Sequence, residues 1–172
     1  MARADVAAMS LLDKFGVDTF PVDPMWLAGQ LDVAVVPQKM APEVSGMLLR
    51  GDGHQVIGVN ESHHRHRRRF TVAHELGHLQ LHRGRPLILD TDMRVNFRDS
   101  VSSMATDREE IEANRFAAAL LAPEAMVRAC VAETVFATAE ELVDALASRF
   151  HISAQAMTYR LMSVGIISGP GS

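Results

Sequence analysis

Apolar positions recur at helical spacing along most of the chain, with one β-rich stretch between them. Val6, Met9, Leu12 and Phe15 lie near that spacing, which predicts a helix over residues 2–15 stopped by Gly16. Pro21 and Pro24 mark a linker, and Asp23 is placed to cap a short helix running to about Leu31. The β-branched run Val33–Val36, bounded by Pro37, reads as a strand. Ser45–Arg50 and Gln55–Asn60 read as two more, joined by the hairpin chemistry of Gly51-Asp52-Gly53. A long helix is expected from about Ser62 to His82, ended by Gly84 and Pro86. Residues 84–106 read as a long irregular loop, placed to gate a cleft. Asp107 then opens a helix through Leu121, which Pro123 stops. A helix over Glu124–Glu133 follows. Thr138 with Glu141 predicts a capped helix to about Phe150, and Ser153 caps a last one to about Val164. The tail SGPGS reads as loop. The fold class is therefore α+β, helix-rich, with a sheet of about three strands beside the long helix.

Composition narrows the class. The chain has 172 residues, 48% of them hydrophobic and 22% charged, which suits one globular domain with a substantial core. The net charge of −4 excludes a general polyanion binder. Cys130 has no second cysteine to pair with, which fits a reducing compartment. No apolar run approaches the ~20 residues of a membrane span, and the opening MARADVAAMS is too polar for a secretory signal. A cytoplasmic protein with no membrane partner is expected.

The chemistry concentrates in His74-Glu75-Leu76-Gly77-His78, in the middle of the long helix. Residues four apart share one helix face, so two imidazoles there can reach one tetrahedral Zn²⁺ at ~2.0–2.1 Å. Glu75 points toward the open coordination position, where it can take a proton from water and return it to a leaving amine. Val72, Leu76 and Leu79 form an apolar stripe on the neighbouring face.

A catalytic zinc with two histidines takes a third ligand, usually a carboxylate. Asp107, Glu109, Glu110 and Glu112 begin the next long helix. Glu112 shares a polar stripe with Arg108 and Arg115, which reads as a solvated, salt-bridged position. Glu110 continues into Asn114, Ala117, Ala118 and Leu121, a face of small residues suited to close helix approach. Glu110 is therefore the first choice of ligand, Glu112 the second and Glu109 the third. The helix dipole by itself accounts for Asp107 and Glu109.

Two blocks of this sequence resemble the ImmA/IrrE metallopeptidases. One runs Arg69-Phe70-Thr71-Val72-Ala73-His74-Glu75-Leu76-Gly77-His78-Leu79, with His82 following. The other runs Glu110-Ile111-Glu112-Ala113-Asn114-Arg115-Phe116-Ala117-Ala118 and on to Leu120, Leu121 and Pro123. The similarity covers roughly residues 20–165 and includes the strand-like Val56–Asn60. It implies a zincin-like fold of the gluzincin type and a zinc endopeptidase that cuts a helix-turn-helix repressor to switch gene expression. It also implies that His74, His78 and Glu110 are the metal ligands and Glu75 the general base. Ala122 departs from the Met expected before Pro123, a change of packing and not of chemistry.

Other features have plainer readings. His82 is either a helix-end residue favoured by the dipole or a partner of the metal ligands. The basic run His63–Arg69 reads as a solvated face, or as an attractant for acidic substrate or nucleic acid. Residues 1–136 are expected to form the peptidase core, with 137–172 a helical pair, helix-turn-helix-like, packed on it. That pair offers few basic residues, chiefly Arg160, so direct nucleic-acid binding is not expected. Tyr159 and Arg160 are candidates to approach the cleft. The rival reading from another class is a non-catalytic metal-containing regulator that binds a repressor or DNA without cutting.

Overall fold

A computed structural model describes residues 2–51, 53–82, 87–91 and 100–168. Among them are seven helices and four strands, in the order α1 (Arg3–Lys14), α2 (Pro24–Gln30), β1 (Val33–Gln38), β2 (Val44–Gly51), β3 (His54–Asn60), α3 (Arg65–Leu81), β4 (Leu87–Thr91), α4 (Ser100–Leu121), α5 (Glu124–Glu133), α6 (Ala139–Phe150) and α7 (Ala154–Ser163). The helix starts follow the caps read from sequence. Asp23 accepts from the amides of Met25 and Trp26, Thr138 from Glu141, and Ser153 from Ala156.

The sheet order is β1-β3-β2-β4. β2 and β3 form the expected hairpin, in register down to Gly51 opposite His54, with Gly53 at φ 81° in the turn. β1 lies parallel to β3 at one edge. It runs through Pro37 to Gln38, beyond the expected end at Val36, because an edge strand tolerates a residue without an N–H.

Three strands were expected and four are present. β4 pairs antiparallel with β2 at the other edge, within the segment read as loop. Leu87-Ile88-Leu89 is too short a run to announce a strand alone; the unpaired side of β2 supplies its hydrogen bonds. At the other end of that segment α4 begins at Ser100, seven residues before Asp107. The remainder of the expected gating loop, 83–86 and 92–99, and the tail from 169 lie outside the described residues.

The core gathers between sheet and helices. Leu48, Ile57 and Val59 of the sheet, Val72 and Leu76 of α3, and Phe116, Leu120 and Leu121 of α4 are all buried. Leu146, Phe150, Met157 and Leu161 extend the same core into α6 and α7. Salt links close the assembly from outside: buried Asp5 on α1 accepts from Arg115 on α4 at 2.7 Å and from Arg160 on α7 at 3.1 Å. No helix among the described residues is long and apolar enough to cross a membrane.

Candidate metal centre

The site begins with how α3 is held. Every residue from Thr71 to His78 is buried, so the helix is enclosed on all sides, not on one face as an amphipathic stripe implies. Two glycines permit this. A Cβ on Gly77 would stand 3.1 Å from the Cα and carbonyl oxygen of Ala113 and 3.2 Å from Cβ of Phe116, so α3 and α4 cross almost in backbone contact. On the opposite side, a Cβ on Gly46 of β2 would collide with Thr71 Cγ2 and come 3.5 Å from Glu75 Oε1. The reactive helix is thus clamped between strand and helix where side chains are missing.

That clamp brings three donors together. His74 Nε2 and His78 Nε2 lie 3.0 Å apart. Glu110, projecting from α4, places Oε2 3.2 Å from His74 Nε2 and Oε1 3.2 Å from His78 Nε2. Ligands about 2.0–2.1 Å from a tetrahedral ion stand roughly 3.3–3.4 Å from one another, so this triangle has the size of one face of a zinc coordination shell. Among the described residues, His74, His78 and Glu110 form the one group of three such side chains able to hold a metal ion.

The far ring nitrogens decide which form the histidines take. His74 Nδ1 lies 3.0 Å from Asn114 Oδ1, an oxygen that can only accept. A neutral His74 therefore carries its proton on Nδ1 and leaves a lone pair on Nε2. For His78 the same result passes through a chain. Glu112 Oε2 is 3.1 Å from His82 Nε2, and His82 Nδ1 is 3.1 Å from His78 Nδ1. The carboxylate accepts from His82 Nε2, which makes His82 Nδ1 the acceptor of the His78 proton. Two lone pairs and a carboxylate then face one another in a buried space, an arrangement that repels itself unless a cation sits between them. The donor set and its surroundings fit a divalent ion.

Electrostatics agree. Desolvation is the largest influence on His78 and lowers its pKa, which keeps the ring in its ligand form. Burial pushes Glu110 upward, but the adjoining His74 and His78 rings outweigh it and hold the carboxyl well below the usual range. Glu112 is also lowered, first by its hydrogen bond with His82.

Glu75, next in the chain to His74, is fully buried, faces Gly46 of β2 and lies within the field of Arg50. Arg50 reaches from β2 to donate at 2.7 Å to the carbonyl oxygen of His78. Strand β2 and the turn carrying the second histidine are thereby tied together.

Of the acidic cluster, the structure brings Glu110 to the histidines. It places Glu112 one step back, on His82, with Arg3 and Arg108 beside it. Glu112 is thus more than the solvated position its stripe suggested. Asn114 and Arg50 were not singled out for this site from sequence. Asn114 carried a signal, since it lies four residues beyond Glu110 on the same helical face; Arg50 carried none, because its contact crosses from a strand to a distant helix. The basic run divides. Arg69 is tied to the carbonyls of Val22 and His151, Arg67 donates to Ser45, and His64 caps α3. Arg160 is buried in its pair with Asp5.

Fold and site together define a helix-rich, zincin-like domain with a two-histidine, one-carboxylate group on adjacent helices. Residues 28–162 match the family model of the IrrE N-terminal-like domain peptidases, and the chain belongs to that family. It is 31% identical over 107 residues to the uncharacterized immunity region protein 2 of Bacillus phage phi105, a match spanning 61% of each chain. A solved Mycobacterium tuberculosis transcriptional regulator shares the fold, with a TM-score of 0.57 and 22% identity over 98% of this chain and 48% of that one. The chain thus spans about half the length of that regulator and less than two thirds of the phage protein.

Proposed function

We propose that this chain is a cytoplasmic zinc endopeptidase that cuts a partner protein, a helix-turn-helix repressor, and thereby switches gene expression. In this reading His74, His78 and Glu110 hold the ion and Glu75 is the general base. One observation carries it: two Nε2 atoms and a carboxylate converge within 3.0–3.2 Å while the opposite ring nitrogens are already engaged. Two imidazoles and a carboxylate favour zinc over harder cations. A bound divalent ion would supply Lewis acidity to a scissile carbonyl and acidify water toward a pKa of ~7. Glu75 accepts the proton from the attacking water and delivers it to the departing nitrogen. Its burial keeps bulk water from competing for that proton. Asn114 and the Glu112–His82 chain hold the two imidazoles in the tautomers that bind metal. The unit 137–172 serves as a wall of the substrate cleft.

The repressor as substrate is supported by the resemblance of the two motif blocks and by the phage relative's name as an immunity region protein. The lone Cys130 suits a reducing cytoplasm.

The test is zinc content and cleavage of a repressor-type partner, measured on the protein and on Glu75→Gln. The variant should keep its zinc and lose cleavage by about 10²–10⁴-fold. Undiminished cleavage by Glu75→Gln would remove the assigned base. Zinc binding without cleavage by the unmodified protein would instead favour a regulator that binds and does not cut.

A further inference from the structure

Three consecutive arginines stand in the first turns of α3, and two of them are engaged. Arg67 donates to Ser45 Oγ, and Arg69 donates to the carbonyl oxygens of Val22 and His151. The side chain of Arg68, between them, makes no hydrogen bond or ion pair with any described residue, and its Nε is buried without a partner. A guanidinium drawn partly out of water with no acceptor lacks the contacts that usually offset burial.

Arg68 lines a cavity of about 350 Å³ that opens between α2, β1 and α3. It is the one charged residue of that lining among the described residues. The walls around it are apolar, formed by Met25 on α2, Val33 and Val35 on β1 and Val59 on β3. Val33 and Val59 belong to the hydrophobic core, and Met25 and Val35 pack against it. The cavity is therefore the place where the core layer opens, at the β1 edge of the sheet. Gly29 of α2 also borders it, and a Cβ there would meet nothing within 4 Å.

We infer that this cavity binds a small apolar monocarboxylate, its tail among Met25, Val33, Val35 and Val59 and its carboxylate on Arg68. The wall sets the chemical class. One guanidinium beside apolar surface matches one carboxylate, whose two oxygens fit its planar N–H groups in pairs. A polyphosphate would bring more charge than a single arginine offsets. The volume suits a small molecule, since ligand pockets span roughly 300–1,000 Å³. An extended peptide suits the place less well, because Pro37 of the edge strand β1 borders the cavity and has no N–H to offer an added strand. The site uses no metal and stands apart from the peptidase reading, although Arg68 shares α3 with His74 and His78.

The probe is octanoate, titrated calorimetrically into the full chain with and without zinc, beside octanamide as its uncharged counterpart. Octanoate should bind about 5–20-fold more tightly than octanamide, to the same extent with and without zinc. Arg68→Gln should abolish that preference, and Arg68→Lys should keep it. Arg68 holds no other described residue in place, so Arg68→Gln should leave the fold intact. Gly29→Leu, which fills the cavity and favours the helix, should weaken both probes at least about tenfold. Equal binding of octanoate and octanamide, a preference that survives Arg68→Gln, or octanoate binding that disappears with the metal overturns the inference. So does tighter binding of an apolar octapeptide with a free C-terminal carboxylate, which would make the cavity a peptide site. Failure of the peptidase reading shows elsewhere, as an absence of cleavage by the unmodified protein.

Discussion

His63, His64 and His66 stand at the start of α3; His74, His78 and His82 occupy its second half and its end. The first group serves the backbone. His63 contacts the Pro42 carbonyl at 2.9 Å, and His64 accepts from the amide of His66 at 3.2 Å. The second group is buried, and its rings are linked side by side into Asn114, Glu110 and Glu112. Both are rich in the same residue and belong to one helix. The difference is what surrounds them. A helix start leaves amides to be capped, which His64 does, while His63 Nδ1 and His66 Nε2 stay buried with no hydrogen-bond partner among the described residues. A buried turn has no water, so each nitrogen must find a partner, and the partners fix the tautomer.

The sharpest way to break this contrast is to remove a donor of the second group. Glu110→Ala should cost zinc affinity by orders of magnitude, measured by chelator competition. Glu112→Ala should cost less, since it acts only through His82. Equal losses would mean that the two carboxylates share the ion.

His82→Ala comes next. It removes the acceptor that holds the His78 proton on Nδ1, and should weaken zinc by about 10–100-fold without changing the ligand set. Combined with Glu112→Ala it should add little, because both act through one chain. An additive loss would show that the chain is not continuous.

Gly77→Val tests the enclosure that distinguishes the two halves. Its Cβ would meet backbone atoms of Ala113 at 3.1 Å, which cannot rotate away. We expect a loss of about 1–3 kcal/mol in a thermal or denaturant melt.

Acidity sharpens the comparison further. Burial sets the pKa of His78 below its ordinary 6.5, so this ring is neutral at pH 7 in the folded site. The folded state binds fewer protons there than the unfolded one. Its contribution is therefore full above pH 6.5 and is lost as pH falls through the lowered value. Zinc retention followed by dialysis should fall in that same direction. The smallest effect belongs to His63→Ala, which should leave zinc affinity within about twofold, as it touches no ligand or ligand partner.

Much of this molecule was legible locally. The spacing of His74 and His78 places both on one helical face whatever the rest of the chain does, because the pitch of a helix is fixed by its own hydrogen bonds. The caps at Asp23, Thr138 and Ser153 are likewise local, each side chain reaching an amide within three residues. The small-residue face was drawn from Glu110 through Asn114 and Ala118, whereas α3 meets α4 most closely at Ala113 and Phe116.

Other features needed the fold. β4 exists because β2 had an unpaired edge, a fact absent from the five residues that form the strand. The tautomers of His74 and His78 depend on Asn114 and on the Glu112–His82 chain, and Asn114 and Glu112 come from α4, 40 residues beyond His74 and 30 beyond His82. The division of the basic run into backbone anchors and cavity lining depends on where α2, β1 and the end of α6 pack. The sequence by itself determined which atoms lie within one helical turn of each other. Only the tertiary structure decided which carboxylate faces them, which nitrogen is left with a lone pair, and where water is excluded, because those depend on contacts between segments that chain connectivity does not constrain.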